Sequence, residues 1–211
     1  MSVKKCVPYA ARRRFLATMI GAATLFPRAV PAAAEQSASG RVTDLAGEAT
    51  AARETGERML GVGSAIRVRD VVRTGDVSAI AMLFGDETSI RLGERSELMI
   101  DEYLSGIRGT FDLSQGALIF DRPETAVRTP TTIMTVFGRL GVRGTRFFAG
   151  PNRDVFGVFV ERGQLEVAAG GDSAMLGAGD GIDIVGTAFD GGVRQWPQDR
   201  IAEAFASVET P

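Results

Sequence analysis

Ser78-Ala79-Ile80-Ala81-Met82-Leu83-Phe84, followed by Gly85-Asp86 and then Thr88-Ser89-Ile90-Arg91-Leu92, sets two β-rich runs on either side of a Gly-Asp step. A Gly-Asp step between such runs marks a hairpin or tight turn. The second run alternates, with Ile90 and Leu92 set against Ser89 and Arg91, which buries one face and wets the other. Outward from this hairpin the pattern repeats. Gly93 to Ser96 form the next turn and Leu98-Met99-Ile100 the next strand. Further runs are Ile66 to Val72, Ala117 to Phe120, Ile133 to Phe137, Arg146 to Ala149, Val155 to Val160, Gln164 to Ala168 and Gly181 to Val185. Strands at intervals of about 8 to 12 residues suit a sandwich, barrel or solenoid better than an α/β fold. A helical period appears only at the end, where Ile201, Ala204, Phe205 and Val208 share one face of a helix starting after Pro197. The expected fold is all-β, an irregular β-solenoid-like coil or a two-layer β-sandwich, with a short C-terminal helix. Gly-Asp and Gly-Glu turns recur near Gly75, Gly85, Gly93 and Gly179 without a strict period.

The N-terminal segment has a different character. Lys4 and Lys5 lead to Arg12, Arg13, Arg14, Phe15 and Leu16; an apolar stretch runs to Phe26, and Pro27, Arg28, Pro31 and Ala32-Ala33-Ala34 follow. A charged start, a short apolar region and an A-x-A site are the anatomy of a secretory signal. The arginine pair Arg12-Arg13 with Phe15-Leu16 adds the twin-arginine address. Cleavage is expected after Ala34, between Ala32 and Ala34 of the recognition triplet and Glu35. The apolar run ends at Pro27-Arg28, short of the roughly 20 residues a spanning helix needs. An uncleaved segment would instead anchor the chain to the inner membrane. Three parts result: a signal at 1–34, a β-domain at 40–185, and a tail with the helix at 186–211.

Removal of the signal changes the chemistry. The chain has 24 basic and 26 acidic residues; the signal holds six of the basic ones and none of the acidic, leaving 18 against 26, a net charge of −8. Such a balance argues against nucleic acid as a partner. Lys4 and Lys5 are the only lysines, Cys6 the only cysteine, and histidine is absent. The mature part therefore has no disulfide, no imidazole or thiolate metal site, and none of the usual general bases or thiol nucleophiles.

The chain resembles the FecR-type periplasmic domain. The resemblance opens at Gly40-Arg41-Val42-Thr43-Asp44-Leu45-Ala46-Gly47 and passes through Leu60-Gly61. Val71-Val72-Arg73-Thr74-Gly75 is similar to the family's Gly-Asp-x-Ile-x-Thr-Gly element, with Arg69-Asp70 in place of Gly-Asp. Phe84 to Leu92 is similar to its Asp-Gly-Ser-x-Ile-x-Leu, with Gly preceding Asp here. Ser114 to Leu118, Arg128-Thr129-Pro130, Gly141-Val142-Arg143-Gly144-Thr145-Arg146-Phe147, Val160 to Val167 and Leu176 to Gly179 complete the order, the Val-Arg-Gly-Thr-x-Phe signature being the sharpest. Read on their own, Gly141 and Gly144 free the backbone for positive φ or close strand packing, Thr145 bonds into the adjoining turn, and Thr129-Pro130 sets an edge or turn. The resemblance implies a sensor or interaction module. Family members that span the inner membrane carry a sigma-binding segment before the membrane helix. Only eleven residues precede Arg12, so the expectation is a stand-alone exported module that binds a protein in the periplasm.

Candidate chemistry is sparse. Ser78, Ser89 and Ser96 lie at turns or strand starts, outside any Gly-x-Ser-x-Gly elbow. The carboxylate pairs Asp86–Glu87, Asp101–Glu102 and Asp180–Asp183 are the ones a glycosidase could use, and all are expected at turns or exposed strand ends. Gly170 to Asp183 is rich in glycine and acid, as calcium loops are, but lacks their spacing and suits ordinary hairpin turns. No catalytic residue, metal or cofactor is expected. Arg139, Arg143 and Arg146 cluster around the Gly-Thr signature, either as a recognition patch for an anionic partner or as edge protection paired to nearby carboxylates. The leading reading is a non-catalytic protein-interaction or sensory module with an envelope or periplasmic partner. The alternative is a structural or glycan-binding envelope protein.

Overall fold

The computed structural model describes residues 38–209 apart from Asp86 and Arg128; the export signal, with Arg12, Arg13, Phe15, Leu16, Ala32 and Ala34, lies outside the described residues. In chain order the strands are β1 Gly40–Ala46, β2 Ala49–Arg53, β3 Gly56–Met59, β4 Ala65–Ile66, β5 Val71–Thr74, β6 Ala79–Phe84, β7 Thr88–Leu92, β8 Glu97–Leu104, β9 Arg108–Gln115, β10 Leu118–Asp121, β11 Thr131–Thr135, β12 Arg139–Asn152, β13 Val155–Ala169, β14 Asp172–Leu176, β15 Asp180–Val185, β16 Ala188–Phe189 and β17 Arg194–Gln195. A single helix, α1 (Gln198–Glu209), ends the described chain. The hairpin read at 78–92 is present, with Phe84 of β6 opposite Thr88 of β7 and Gly85 at φ +57° in the turn.

Strand pairing makes one curled sheet that doubles over on itself. The first layer runs β3–β2–β5–β8–β9–β11, then the N-terminal half of β12, the C-terminal half of β13, and β14. The second runs β4–β1–β6–β7–β10, then the C-terminal half of β12, the N-terminal half of β13, and β15. Past Val185, β16 and β17 both pair with β15. Every pairing is antiparallel except that of β9 with β11. A solenoid coil stacks its rungs in parallel, so the two-layer alternative is the one this pairing satisfies. The alternating residues supply the filling. Val72, Leu98, Ile100, Phe111, Ile133, Leu140 and Leu165 from the first layer meet Ile80, Met82, Phe84, Ile90, Leu118, Phe120, Phe147 and Val158 from the second in one core.

The corner lies in the Gly-Thr signature. Along β12 and β13 the register runs from Arg139 opposite Ala168 to Arg143 opposite Gln164, shifts around Arg146, and resumes at Phe147 opposite Val160. Gly144 (φ +55°) and Gly163 (φ +87°) face each other at this bend. A Cβ on Gly163 would lie 2.2 Å from the Gly144 carbonyl oxygen, so the two strands can approach this closely only with glycine at 163. Thr145 is fully buried beside them and its hydroxyl donates to the Gln164 carbonyl at 3.4 Å. Gly141 differs from the expectation placed on it. Its φ is not positive, and an added Cβ would meet only Glu166, at 3.5 Å, an ordinary contact.

Helix α1 forms as its period predicts. Ala204, Phe205 and Val208 pack with Trp196 on the outer face of the second layer, against Ala117, Ile119, Phe148 and Phe159.

Ile66 to Val72 is not one strand. β4 stops at Ile66 and β5 starts at Val71, because Asp70 gathers the intervening turn. Its carboxylate, 0% exposed, accepts the Arg67 N–H at 2.8 Å and pairs with Arg53 at 3.1 Å and Arg58 at 2.6 Å. Burial opposes the charge, but Arg58, the Arg67 amide and Arg53 outweigh it and hold the carboxyl below the usual aspartate range. Arg69, where the family element has glycine, sits at φ +67°. A left-handed conformation costs a non-glycine residue about 1 kcal/mol or more. Arg69→Gly is therefore expected to stabilise the domain by about 1 kcal/mol, read as a rise in the urea midpoint at unchanged m-value.

Candidate interaction face

The outer surface of the first layer carries a groove of about 930 Å³. Its floor is Thr132 of β11 and Gly141 of β12; Arg143, Gln164, Glu166 and Met175 flank it, and Pro123, Glu124, Ala126, Thr129 and Pro130 line it ahead of β11. Alternation explains the placement. On β12, Leu140 and Val142 point into the core, so Arg139, Gly141 and Arg143 point out. On β13, Leu165 and Val167 point in, leaving Gln164 and Glu166 outside. Gly141 has no side chain to fill the floor, and the Glu166 carboxylate lies above it.

The three arginines singled out by the sequence do not share one face. Arg139 and Arg143 are exposed on the groove side, and neither forms an ion pair with a described residue. Arg146 lies beyond the corner, where the shifted register directs it to α1. It pairs with Asp121 at 3.1 Å, Glu161 at 2.5 Å and Glu209 at 2.7 Å, and its guanidinium lies 5.3 Å from the Phe205 ring centroid. Partial burial disfavours its charge, yet Glu161, Glu209 and Asp121 more than compensate and raise its pKa. Ion pairing thus accounts for Arg146, whereas Arg139 and Arg143 project outward without an ion pair to a described residue.

The loop ahead of β11 is held from beneath. Arg122 is 2% exposed, and among the described residues its acceptors are neutral: Thr88 Oγ1 at 2.8 Å, the Thr129 carbonyl at 2.5 Å and Thr131 Oγ1 at 2.9 Å. Burial lowers its pKa from the ordinary arginine value, partly offset by Tyr103. Thr129 Oγ1 also accepts the Gly106 N–H at 2.7 Å, and the Pro130 carbonyl accepts from Gly109 at 2.9 Å. Thr129-Pro130 thereby ties the loop to the β8–β9 hairpin and leads into β11.

The candidate carboxylates do not converge. Asp86 lies outside the described residues, Glu87 and Asp101 are exposed, and Glu102 pairs with Arg108 at 2.6 Å. Asp180 closes the β14–β15 turn by accepting the Gly177 N–H at 2.8 Å. Asp183 is not at an exposed end: it is 3% exposed under α1 and pairs with Arg200 at 2.8 Å and with Arg194. Arg200 in turn lies 3.7 Å from the Trp196 ring centroid and donates to Asn152 at 2.8 Å. Alternation alone could not locate this cluster, because α1 covers the face that β15 would otherwise turn to water. Gly170 to Asp183 forms two hairpin turns, and no group of acidic residues able to hold a metal occurs among the described residues. No described helix is long and apolar enough to cross a membrane.

Fold and face together define a two-layer all-β domain with a helix packed on one layer. Within it, residues 70–166 match the FecR protein family model, from the Asp70 turn through the corner to Glu166 beside the groove, so this stretch is of FecR type. Two crystal structures of a proposed anti-sigma factor from Parabacteroides distasonis are similar in fold. Each has a TM-score of 0.48 and 17% identity, over 61% of this chain and 59% of that one. The chain thus spans less than two thirds of that protein. No curated protein matches the chain.

Proposed function

We propose that the protein is exported by its twin-arginine signal, is cleaved after Ala34, and acts in the periplasm as a non-catalytic regulatory module that docks a protein through the Gly141 groove. The observation that carries this reading is the exposed pair Arg139 and Arg143, without ion pairs to described residues, beside a groove that also offers Glu166, Glu124, Met175 and Pro130. Mixed charge with apolar lining suits a polypeptide surface better than a polyanion. A glycan-binding role has less support. Trp196 is buried beside α1, and Tyr103 is buried with its hydroxyl donating to Thr88, so neither ring is free to stack on a sugar.

Co-purification with the tagged protein tests the reading. The protein recovered from the periplasm is expected to begin at Glu35 and to bring down one envelope protein. Gly141→Leu, which fills the floor without backbone strain, is expected to reduce that recovery about tenfold, the equivalent of roughly 1.4 kcal/mol. Recovery unchanged by Gly141→Leu would remove the groove from the account.

A further inference from the structure

The first layer ends on both sides in an edge strand, and the two edges differ. β3 carries Glu57 and Arg58 along its four residues, the kind of charge that discourages strand addition. In the second layer β4 has only two residues, and β15 is capped by β16 and β17. β14 has none of these protections. After Asp172 its residues Ser173, Ala174, Met175 and Leu176 are uncharged, contain no proline, and among the described residues pair with β13 alone, without a register shift.

The β13–β14 hairpin determines which backbone groups are free. Its loop is Gly170-Gly171, both at positive φ, and a two-residue loop makes the flanking pair Ala169–Asp172 hydrogen-bonded. Antiparallel pairs then alternate, so Ala174 and Leu176 bond to β13 while Ser173 and Met175 direct N–H and C=O to the open edge. Ser173 and Met175 also project on the groove side, where Met175 is 56% exposed and lines the groove, whereas Leu176 is buried in the core.

We infer that the free edge of β14 receives an extended segment of a partner protein as an added β-strand, bonded to the backbone of Ser173 and Met175. The inference rests on the reading of the chain as a protein-interaction module. The occupant carries an apolar side chain opposite Met175 and a lysine or arginine near Asp172, the one charge on the edge. A second copy of the chain fits less well. Antiparallel self-pairing about Ala174 would set Asp172 against the mate's Leu176, covering a carboxylate without a counter-charge.

A photo-reactive residue at Met175 in the full chain, in cells that produce it, reads the contact directly. The expected result is a crosslink to one extended, lysine- or arginine-containing segment of one protein. Ser173→Pro removes an outward N–H that β13 does not use, and is expected to lower the yield about tenfold or more, while Ser173→Ala leaves it unchanged. Met175→Lys, with the probe moved to Ser173, gives the same loss by edge charge if the proline variant fails to fold. A crosslink to a second copy, or a yield unaffected by either variant, overturns the inference. Crosslinks from Gln164 in the groove with none from Met175 would overturn edge pairing and leave the interaction reading standing; silence at both positions would remove both.

Discussion

Gly163→Val is expected to destabilise the domain by about 3 kcal/mol or more, seen as a fall in the urea midpoint. Two costs combine at this position. Its φ of +87° is a conformation that side chains, β-branched ones above all, rarely adopt, at about 1 to 2 kcal/mol. Its Cβ would also lie 2.2 Å from a backbone oxygen of Gly144, which cannot move away without separating β12 from β13. Overpacking of this kind costs a further 1 to 3 kcal/mol, about as much again. Because both strands pass from one layer to the other here, the damage reaches the whole domain. Gly141→Ala supplies the contrast: it lies three residues before Gly144, has ordinary space for a methyl, and is expected to change stability by no more than about 0.5 kcal/mol. Equal losses at the two glycines would contradict the placement of the corner.

Arg200→Ala is expected to cost about 3 kcal/mol. Arg200 is 7% exposed and joins α1 to β15 through Asp183, to the end of β12 through Asn152, and to Trp196 through its ring face. Removing one partner of a buried pair leaves the other poorly compensated, and the loss is typically about 3 to 5 kcal/mol. Arg194 remains beside Asp183, which places the expectation at the lower end of that range. The stacked guanidinium contributes as well, since a desolvated cation on tryptophan is worth about 2 kcal/mol. Arg153, in the exposed turn between β12 and β13, reaches the first turns of α1 and offers the comparison. It pairs with Asp199 and Glu203 in water, and Arg153→Ala is expected to cost under about 1 kcal/mol. A loss at Arg200 no greater than that at Arg153 would mean that α1 is not fastened through Asp183.

Strong alternation made most of the sheet legible. Thr88 to Leu92 and Gln164 to Ala168 announce their faces residue by residue, and α1 announces its apolar stripe. β9 gives little signal in the sequence because its buried positions include Gly109, so that only Phe111 and Leu113 mark the face. β14 was hidden by its polar start, Asp172-Ser173, within a glycine-rich stretch. Ile66 to Val72 misled for the opposite reason: its apolar residues suit a continuous strand, and only Asp70 collecting two arginines from β2 and β3 breaks it. The same limit governs the face. Sequence distance grouped Arg139, Arg143 and Arg146, but the register shift between the second and the third sends Arg146 to α1. The open groove had one local signal, a glycine between two outward arginines, whose conformation the sequence could not distinguish from that of Gly144.

Photo-crosslinking from Gln164 in living cells tests the docking face most directly. Gln164 is exposed beside Arg143 at the groove. The account predicts one reproducible envelope protein, with a yield that falls about tenfold in Arg143→Glu, as expected for a charge reversal worth roughly 1.4 kcal/mol. Recovery of cell-wall fragments alone, or of nothing above background, would contradict it.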